Sequence, residues 1–171
     1  MNKFSFAVGT AYTALLAGLL VCVDSLIYEC MPIANNKGFV YIAFVAWAVY
    51  FFSGCDLKGG IRAAIGYVVG IIISIIIMNL AGVFAGLGFF AVPLAVFLIV
   101  FGWLYLEKVP WFDLIPAMFV AAGCYFGIMT YVPEATFGSA ACIEIIYGWL
   151  GLLFGWITIA GKGVLLKALK L

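Results

Sequence analysis

Apolar residues fill six long runs of the chain, and short segments rich in charge, asparagine, proline or glycine separate them. A helix crosses the hydrocarbon core of a bilayer in about 20 residues. The runs are continuously apolar, unlike the alternating strands of a membrane barrel. The pattern therefore predicts six membrane-spanning helices, at about 4–23, 38–54, 61–78, 88–106, 114–131 and 141–160.

Three details refine these boundaries. The first helix is expected to remain uncleaved and to continue towards Tyr28, because residues 20–23 lack the small side chains of a signal-peptide cleavage site. Residues 61–106 are too many for one crossing, and the polar and glycine residues that follow Met78 mark a turn. Pro93 is expected to kink the fourth helix.

The predicted fold class is an all-α, polytopic transmembrane helix bundle of six spans with both termini in the cytoplasm. A single bundle domain is expected over residues 1–160. Residues 161–171 mix lysine with leucine and valine, which is typical of a short basic amphipathic tail lying on the cytoplasmic face of a membrane.

The orientation follows from the basic residues. With six spans, both termini and two loops share one side of the membrane, and only Lys37 falls on the other side. Lysine and arginine accumulate on the cytoplasmic side of membrane proteins. The residues that predict an N-in, C-in arrangement are Lys3, Lys58, Arg62, Lys108, Lys162, Lys167 and Lys170.

The composition excludes a water-soluble fold. Of the 171 residues, 68% are hydrophobic and only 9% are charged, whereas an ordinary soluble domain has roughly 25% charged residues. The mean hydropathy is +1.32. The net charge of +1 lacks the basic excess of a nucleic-acid-binding protein, so we expect the lipid bilayer, and no nucleic acid, as a partner.

Candidate chemistry is sparse. The chain has no histidine, which removes the commonest general base and a favoured metal ligand. It also lacks the sequence motifs of serine hydrolases, zinc proteases, P-loop proteins and dinucleotide-binding proteins. We therefore expect no enzymatic activity, no cofactor and no metal site.

The five cysteines show no metal-binding spacing. Cys30 and Cys142 both fall near the predicted outer side of the membrane, where an oxidising compartment would permit a disulfide between them. Free, buried thiols are the other expectation.

Glycines spaced four apart predict where helices pack closely, since small side chains let two helix backbones approach each other in lipid. Such pairs occur in the third, fifth and sixth spans, and one further glycine extends the pattern of the sixth. The predicted packing residues are Gly66, Gly70, Gly123, Gly127, Gly148, Gly151 and Gly155.

Two acidic residues fall inside the predicted spans or at their outer edge. Glu144 shares a helix face with the glycines of the sixth span, so it should point towards a packing interface rather than towards lipid. Asp24 shares a stripe with Thr10 and Thr13 on the first helix. An ionisable group inside a membrane costs about 2.5–3.5 kcal/mol on insertion scales, which makes both residues candidates for a solute site. The alternative places both at the level of the lipid headgroups.

Three aromatic residues, Tyr50, Phe119 and Tyr125, are expected to line a solute path together with these acids. Tyrosine and phenylalanine rings suit a narrow constriction or a site for a cation. The alternative is that most aromatic residues form the interfacial belt of the bundle.

Three segments give the chain a family resemblance. They are residues 38–60, the pattern Pro116-x-x-Phe119-x-Ala121 within 115–127, and the stretch Leu150–Gly155. In their order and spacing they resemble the YcdZ-like family of small bacterial inner-membrane proteins, which is a domain-of-unknown-function family. Its members tend to occur beside gene sets for microcompartments that degrade small alcohols, diols and amines. The resemblance implies a multi-pass protein of the bacterial inner membrane that passes small metabolites.

Two functions follow from these observations, and a membrane enzyme is a weaker third. The first is a channel or facilitator for a small neutral or cationic metabolite, working as a homo-oligomer. The second is a non-transporting scaffold or accessory protein that docks a cytoplasmic protein partner. The docking surface would consist of Asp56, Lys58, Arg62, Glu107, Lys108 and Asp113.

An inverted internal repeat would favour transport. The likeness of Gly102-Trp103-Leu104 to Gly148-Trp149-Leu150 is too little to establish a repeat.

Overall fold

The computed structural model describes residues 3–33 and 38–170, and these residues form helices and short connections without any strand. Lys37, the one basic residue predicted for the outer side, lies outside the described residues. The helices are α1 (Lys3–Ile27), α2 (Val40–Phe52), α3 (Leu57–Val83), α4 (Ala91–Trp103), α5 (Ile115–Tyr131) and α6 (Phe137–Ala168). The predicted all-helical class is confirmed.

Within the described residues, four stretches are long and apolar enough to cross a membrane. They are Lys3–Cys30, Leu57–Val83, Ala85–Lys108 and Phe137–Ala168. The helices α2 and α5 have 13 and 17 residues, which at 1.5 Å per residue gives roughly 20 Å and 26 Å, against about 30 Å of hydrocarbon. The helices are compatible with a multi-pass membrane protein, and crossing by α2 and α5 stays a prediction.

The turn between the third and fourth predicted spans lies later than expected. Helix α3 continues past Asn79, whose side-chain amide donates to the carbonyl oxygen of Ile75 at 2.8 Å. The chain breaks at Gly88, which adopts φ 54° and ψ −123°. The predicted kink at Pro93 is wrong, because this residue occupies the first turn of α4, where its missing N–H has no helical acceptor.

The last part of α6 includes residues that were assigned to the tail. The helix continues without interruption through Lys162 to Ala168. Lys162 reaches across α1 at Gly9, where an added Cβ would lie 2.6 Å from the lysine Cε atom. Lys162 and Lys167 therefore extend from the final turns of α6, and Lys170 follows the end of the helix.

The chain divides into two compact units. The first unit comprises Met1–Gly60 and Ile146–Leu171, and the second comprises Ile61–Ile145. The first unit therefore contains α1, α2 and most of α6. The second contains α4, α5 and most of α3.

In the first unit, α1 and α6 are antiparallel. Near the start of α1 the Tyr12 hydroxyl donates to the carbonyl oxygen of Ile157 at 3.0 Å. Near its end, Asp24 accepts a 2.6 Å hydrogen bond from the Tyr147 hydroxyl. Residue numbers rise along one helix as they fall along the other. The start of α1 and the end of α6 consequently lie at the same end of this helix pair.

Helix α2 packs parallel to α6 in the same unit. Gly151 lies against the carbonyl oxygen of Ala43 and the Cβ atom of Ala46. One turn further along both helices, an added Cβ at Gly155 would lie 2.5 Å from the Cβ atom of Tyr50. Any larger side chain at either glycine would force the two backbones apart.

The second unit has its own parallel pair, α3 and α5. An added Cβ at Gly66 would lie 2.9 Å from the Cβ atom of Ala117. At Gly70 it would lie 2.5 Å from the Met118 carbonyl oxygen and 2.7 Å from the Cβ atom of Ala121. Glycine is therefore required at both positions for this approach.

Helix α4 completes the second unit through apolar contacts. Trp103, its last residue, donates its indole N–H to the Met118 sulfur at 3.1 Å and packs its ring on Phe119 with centroids 4.5 Å apart. The buried cluster that α4 shares with α3 and α5 is Ile73, Ile77, Ala95, Trp103, Ile115, Met118 and Ala122.

The remaining predicted packing glycines differ in their surroundings. Gly148 is buried and Gly127 is half-buried. Gly123 is exposed, and nothing lies within 4 Å of the position that its Cβ would occupy. The four-residue spacing thus marked the packed face on α3 and α6, but the structure places Gly123 outside the packed face of α5.

The glycine contacts generate a stability prediction. Gly70→Ala should lower the free energy of unfolding by about 1–3 kcal/mol, because the new methyl group overlaps the backbone of α5. Gly123→Ala, the matched control, should leave stability unchanged or raise it by up to about 1 kcal/mol, since alanine favours helix and the position is open. Unfolding by SDS titration in mixed micelles measures both. Equal stability of the two variants would contradict the close-packing interpretation.

Candidate functional site

Glu144 is an acidic residue in the interior of the protein. It lies two turns into α6 and its side chain is 0% exposed. Neither carboxyl oxygen has a hydrogen-bond partner among the residues that the structure describes. Buried polar groups almost always have a partner, so this carboxyl group is unusual.

Tyr67 presents a second unpartnered group of the same kind. The residue belongs to α3 and is also 0% exposed, and within the described ranges its hydroxyl makes no hydrogen bond. It lies close enough to Glu144 to interact with it electrostatically. Helices α3 and α6 thus each contribute one buried polar group without a partner among the described residues.

Helix α5 supplies two further neighbours of the carboxyl group. Cys124 and Tyr125 both interact electrostatically with Glu144. The Tyr125 hydroxyl donates to the carbonyl oxygen of Phe137, the first residue of α6, at 2.9 Å. This bond holds the end of α5 against the start of α6. We refer to Glu144, Tyr67, Cys124 and Tyr125 as the Glu144 cluster.

The Glu144 cluster has the chemistry of a small polar site. A carboxyl group with two unpaired oxygens accepts hydrogen bonds from an ammonium, a hydroxyl or water, and the Tyr67 hydroxyl can donate or accept. The tyrosine rings offer π faces to a cation. Leaving such groups without partners costs about 1–3 kcal/mol each, and more for a charged group.

Asp24 has a different role in the first unit. It is half-buried near the end of α1, and the Tyr147 hydroxyl donates to it at 2.6 Å. Further along, the Tyr28 hydroxyl donates to Glu29 at 2.9 Å. Asp24 therefore ties α1 to α6, which is a structural use of the carboxylate.

The remaining predicted path residues are dispersed. Tyr50 is buried in the first unit, and within the described part of the chain its hydroxyl has no partner. Phe119 is 46% exposed and stacks on Trp103. Within the second unit, Tyr125 of the predicted set interacts with Glu144. The sequence pattern did not identify Tyr67 and Cys124 as site residues, although Tyr67 directly follows the packing residue Gly66.

The cysteines correct an expectation. All five are free, but Cys22, Cys30 and Cys142 are exposed rather than buried. The remaining two are partly buried. Among residues 3–33 and 38–170, no three histidine, cysteine or acidic side chains are grouped so that they could hold a metal ion.

Two residues of the predicted docking surface pair with each other in the second unit. The Arg62 Nε atom donates to Asp113 at 2.8 Å, and its Nη2 atom lies 2.6 Å from the other carboxylate oxygen. Both side chains are about one-third exposed or less, at 26% and 35%. This bidentate pair joins the start of α3 to the segment before α5.

One known protein family matches most of this chain. The family described as "Protein of unknown function (DUF1097)" matches residues 7–162. The chain belongs to this family. No curated protein and no solved structure matches the chain. Membership in an unknown-function family agrees with the sequence resemblance, while the YcdZ-like name and a bacterial origin stay predictions.

The Glu144 cluster predicts an unusual response to substitution. Glu144→Met should raise the free energy of unfolding by about 1–3 kcal/mol, because methionine fills the same volume and leaves no unpaired polar atom. The control is Tyr125→Phe, which should lower stability by about 0.5–1.5 kcal/mol through loss of its bond to Phe137. SDS titration measures both changes. A destabilised Glu144→Met protein would show that the carboxyl group supports the fold.

The Asp24–Tyr147 contact predicts a measurable coupling. A double-mutant cycle with Asp24→Ala and Tyr147→Phe should give a coupling free energy of about 0.6–1.7 kcal/mol, the range found for polar contacts inside membranes. The same cycle with Tyr12→Phe in place of Tyr147→Phe should give no coupling, since Tyr12 bonds Ile157 instead. Additive effects of the first pair would rule out the contact.

Proposed function

We propose that this protein is a membrane facilitator for a small solute that carries an amine or several hydrogen-bond donors, and that Glu144 binds this solute. The protein is not an enzyme in this proposal. The observation that carries it is the pair of buried, unpartnered polar groups, the Glu144 carboxyl and the Tyr67 hydroxyl. A solute with hydrogen-bond donors would supply the partners that these two groups lack among the described residues.

The cost of the Glu144 cluster supports a functional role. An apolar residue at position 144 would satisfy the packing without an unpaired carboxyl group, so stability alone does not explain glutamate there. Residues that lower stability while serving activity are typical of functional sites. Ionisable residues within membrane helices commonly mark solute pathways.

The chemistry of the Glu144 cluster favours amines within the broader class of small metabolites. A carboxyl group attracts an ammonium ion, and the aromatic faces of Tyr67 and Tyr125 add cation–π stabilisation. A neutral diol or an amide such as urea would use the same carboxyl oxygens as hydrogen-bond acceptors. The proposed preference is therefore small ammonium compounds first and small neutral polar solutes second.

The orientation that we propose is N-in and C-in within the bacterial inner membrane. The antiparallel pairing of α1 with α6 places Lys3 at the same end as Lys162 and Lys167. Asp24 lies towards the other end of α1. This distribution follows the positive-inside rule. Assembly into a homo-oligomer and a cytoplasmic protein partner both stay predictions.

The test of function is flux into proteoliposomes. Stopped-flow swelling with urea, glycerol and small diols, and uptake of labelled methylamine and ethanolamine, should show faster movement of at least one solute than in empty vesicles. Glu144→Gln should reduce that rate at least tenfold, since the amide loses the charge that attracts the solute. The control Phe97→Leu, at an exposed aromatic position on α4, should retain the rate.

Two outcomes would contradict the proposal. Rates equal to those of empty vesicles for every solute would favour the non-transporting accessory role. Equal rates for the natural protein and Glu144→Gln would establish transport but exclude Glu144 from the solute site.

A further inference from the structure

The two parallel helix pairs are built on the same contact. In the second unit, Gly70 of α3 faces the carbonyl oxygen of Met118 and the Cβ atom of Ala121. Those two residues of α5 are three positions apart, so one glycine covers a single helical turn of its partner.

In the first unit, Gly151 of α6 faces the carbonyl oxygen of Ala43 and the Cβ atom of Ala46, again three positions apart on α2. The contacts relate α2 to α5 with a shift of 75 positions and α3 to α6 with a shift of 81 positions. The helix boundaries agree with this register, because α2 begins at Val40 and α5 begins 75 positions later at Ile115.

The register set by these contacts aligns matching sequences. Within residues 44–51 of α2 and 119–126 of α5, five of the eight positions are identical. The identities are Phe-Val-Ala at the start of each segment and Tyr-Phe at its end. Ala46 and Ala121 take part in the contacts that set this register. The other four identities involve residues outside those contacts and are therefore independent support.

The first helix of each half also matches. Residues 6–20 and 90–104 both begin with Phe-Ala-Val, and six of the 15 aligned positions are identical. The segment 6–20 lies in α1, and 90–104 contains α4 with one residue on either side. A weak likeness along a whole helix is typical of an internal repeat in a membrane protein.

We infer that the chain consists of two three-helix repeats, α1–α3 and α4–α6, that exchange their third helices. Helix α3 packs on α5 of the second repeat, and α6 packs on α2 of the first. When each repeat crosses the membrane three times, the second begins on the side opposite to the first. The repeats then have inverted orientation, an architecture that recurs in transporters.

The repeat makes Tyr50 and Tyr125 equivalent residues at opposite sides of the membrane. Each contacts the first turn of the third helix in its own repeat. An added Cβ at Gly60 would lie 3.0 Å from the Tyr50 ring, and the Tyr125 hydroxyl donates to Phe137 at 2.9 Å. Only the Tyr125 hydroxyl is bonded, since that of Tyr50 finds no partner among the described residues.

This difference assigns the two tyrosines a role that rests on the proposed function. We call each tyrosine a latch, which is closed when its hydroxyl bonds the start of the following helix and open when it does not. The two latches lie on opposite sides of the membrane. In this structure the Tyr125 latch is closed and the Tyr50 latch is open. In the opposite conformation Tyr50 would bond the start of α3, at Asp56 or close to it, which is the position equivalent to Phe137. Exchange between such states is the movement expected of inverted repeats.

The exchange of third helices is tested by disulfide cross-linking in a cysteine-free variant of the full chain. The cysteine pairs Ala46→Cys with Gly151→Cys, and Gly70→Cys with Ala121→Cys, should cross-link. The control pairs, Ala46→Cys with Gly70→Cys and Ala121→Cys with Gly151→Cys, represent repeats without exchange and should not. Cross-linking of the control pairs instead would overturn the exchanged repeat. This experiment needs no transport, so its result is independent of the proposed function.

The inverted orientation is tested by labelling exposed loops. Asp56→Cys and Glu134→Cys lie after the second helix of each repeat and are both exposed. In sealed vesicles of uniform orientation, a membrane-impermeant maleimide should label one of them from outside and the other only after permeabilisation. Labelling of both from the same side would overturn the inversion.

The latch role is tested by transport from each side of oriented vesicles. Tyr125→Phe should change KM about fivefold for solute added on one side, and Tyr50→Phe should do so for the other side, as expected for loss of one hydrogen bond. Equal effects of both variants on both sides would overturn the latch assignment. Absence of any flux in the natural protein would overturn it as well, while the cross-links would still decide the repeat.

Discussion

The close approach of two helix backbones at a glycine is the contact on which this structure depends. Apolar side chains drive no association between helices inside lipid, because lipid is equally apolar, so packing and polar contacts must hold the helices together. Gly70 and Gly151 let α3 and α6 lie directly on the backbones of α5 and α2. With the contacts of Gly66 and Gly155 one turn away, they set the parallel pairing of these helices within each compact unit.

The close packing of the helices determines which partners are available to the Glu144 cluster. Helices held this tightly exclude water from their interface, so a carboxyl group there receives partners only from the protein or from a solute. The protein supplies none to Glu144 and none to the neighbouring Tyr67 hydroxyl within its described residues. Other acidic groups of the same fold are closely paired, as Asp24 is with Tyr147 and Asp113 is with Arg62. The contrast supports the role proposed for the Glu144 cluster of the second unit.

Several features could be predicted from particular residues. The positions of the six helices followed from apolar runs, and the burial of Glu144 followed from its spacing to Gly151 and Gly155. The same spacing rule selected Gly123, which lies on an exposed face, because a four-residue interval defines a helix face without showing what covers it. Pro93 was expected to kink the fourth helix. The chain breaks at Gly88 and α4 begins at Ala91, so Pro93 lies in the first turn of that helix.

The sequence by itself determined that this is an all-helical chain suited to a membrane and that it contains no histidine. Those properties depend on composition and local periodicity, which each segment carries alone. Only the tertiary structure decided which helices are neighbours, that Tyr67 and Cys124 join Glu144, and which positions of the two halves correspond. Such relations depend on contacts between residues far apart in the chain. Ala43 corresponds to Met118 because its carbonyl oxygen faces Gly151 in the same way as that of Met118 faces Gly70.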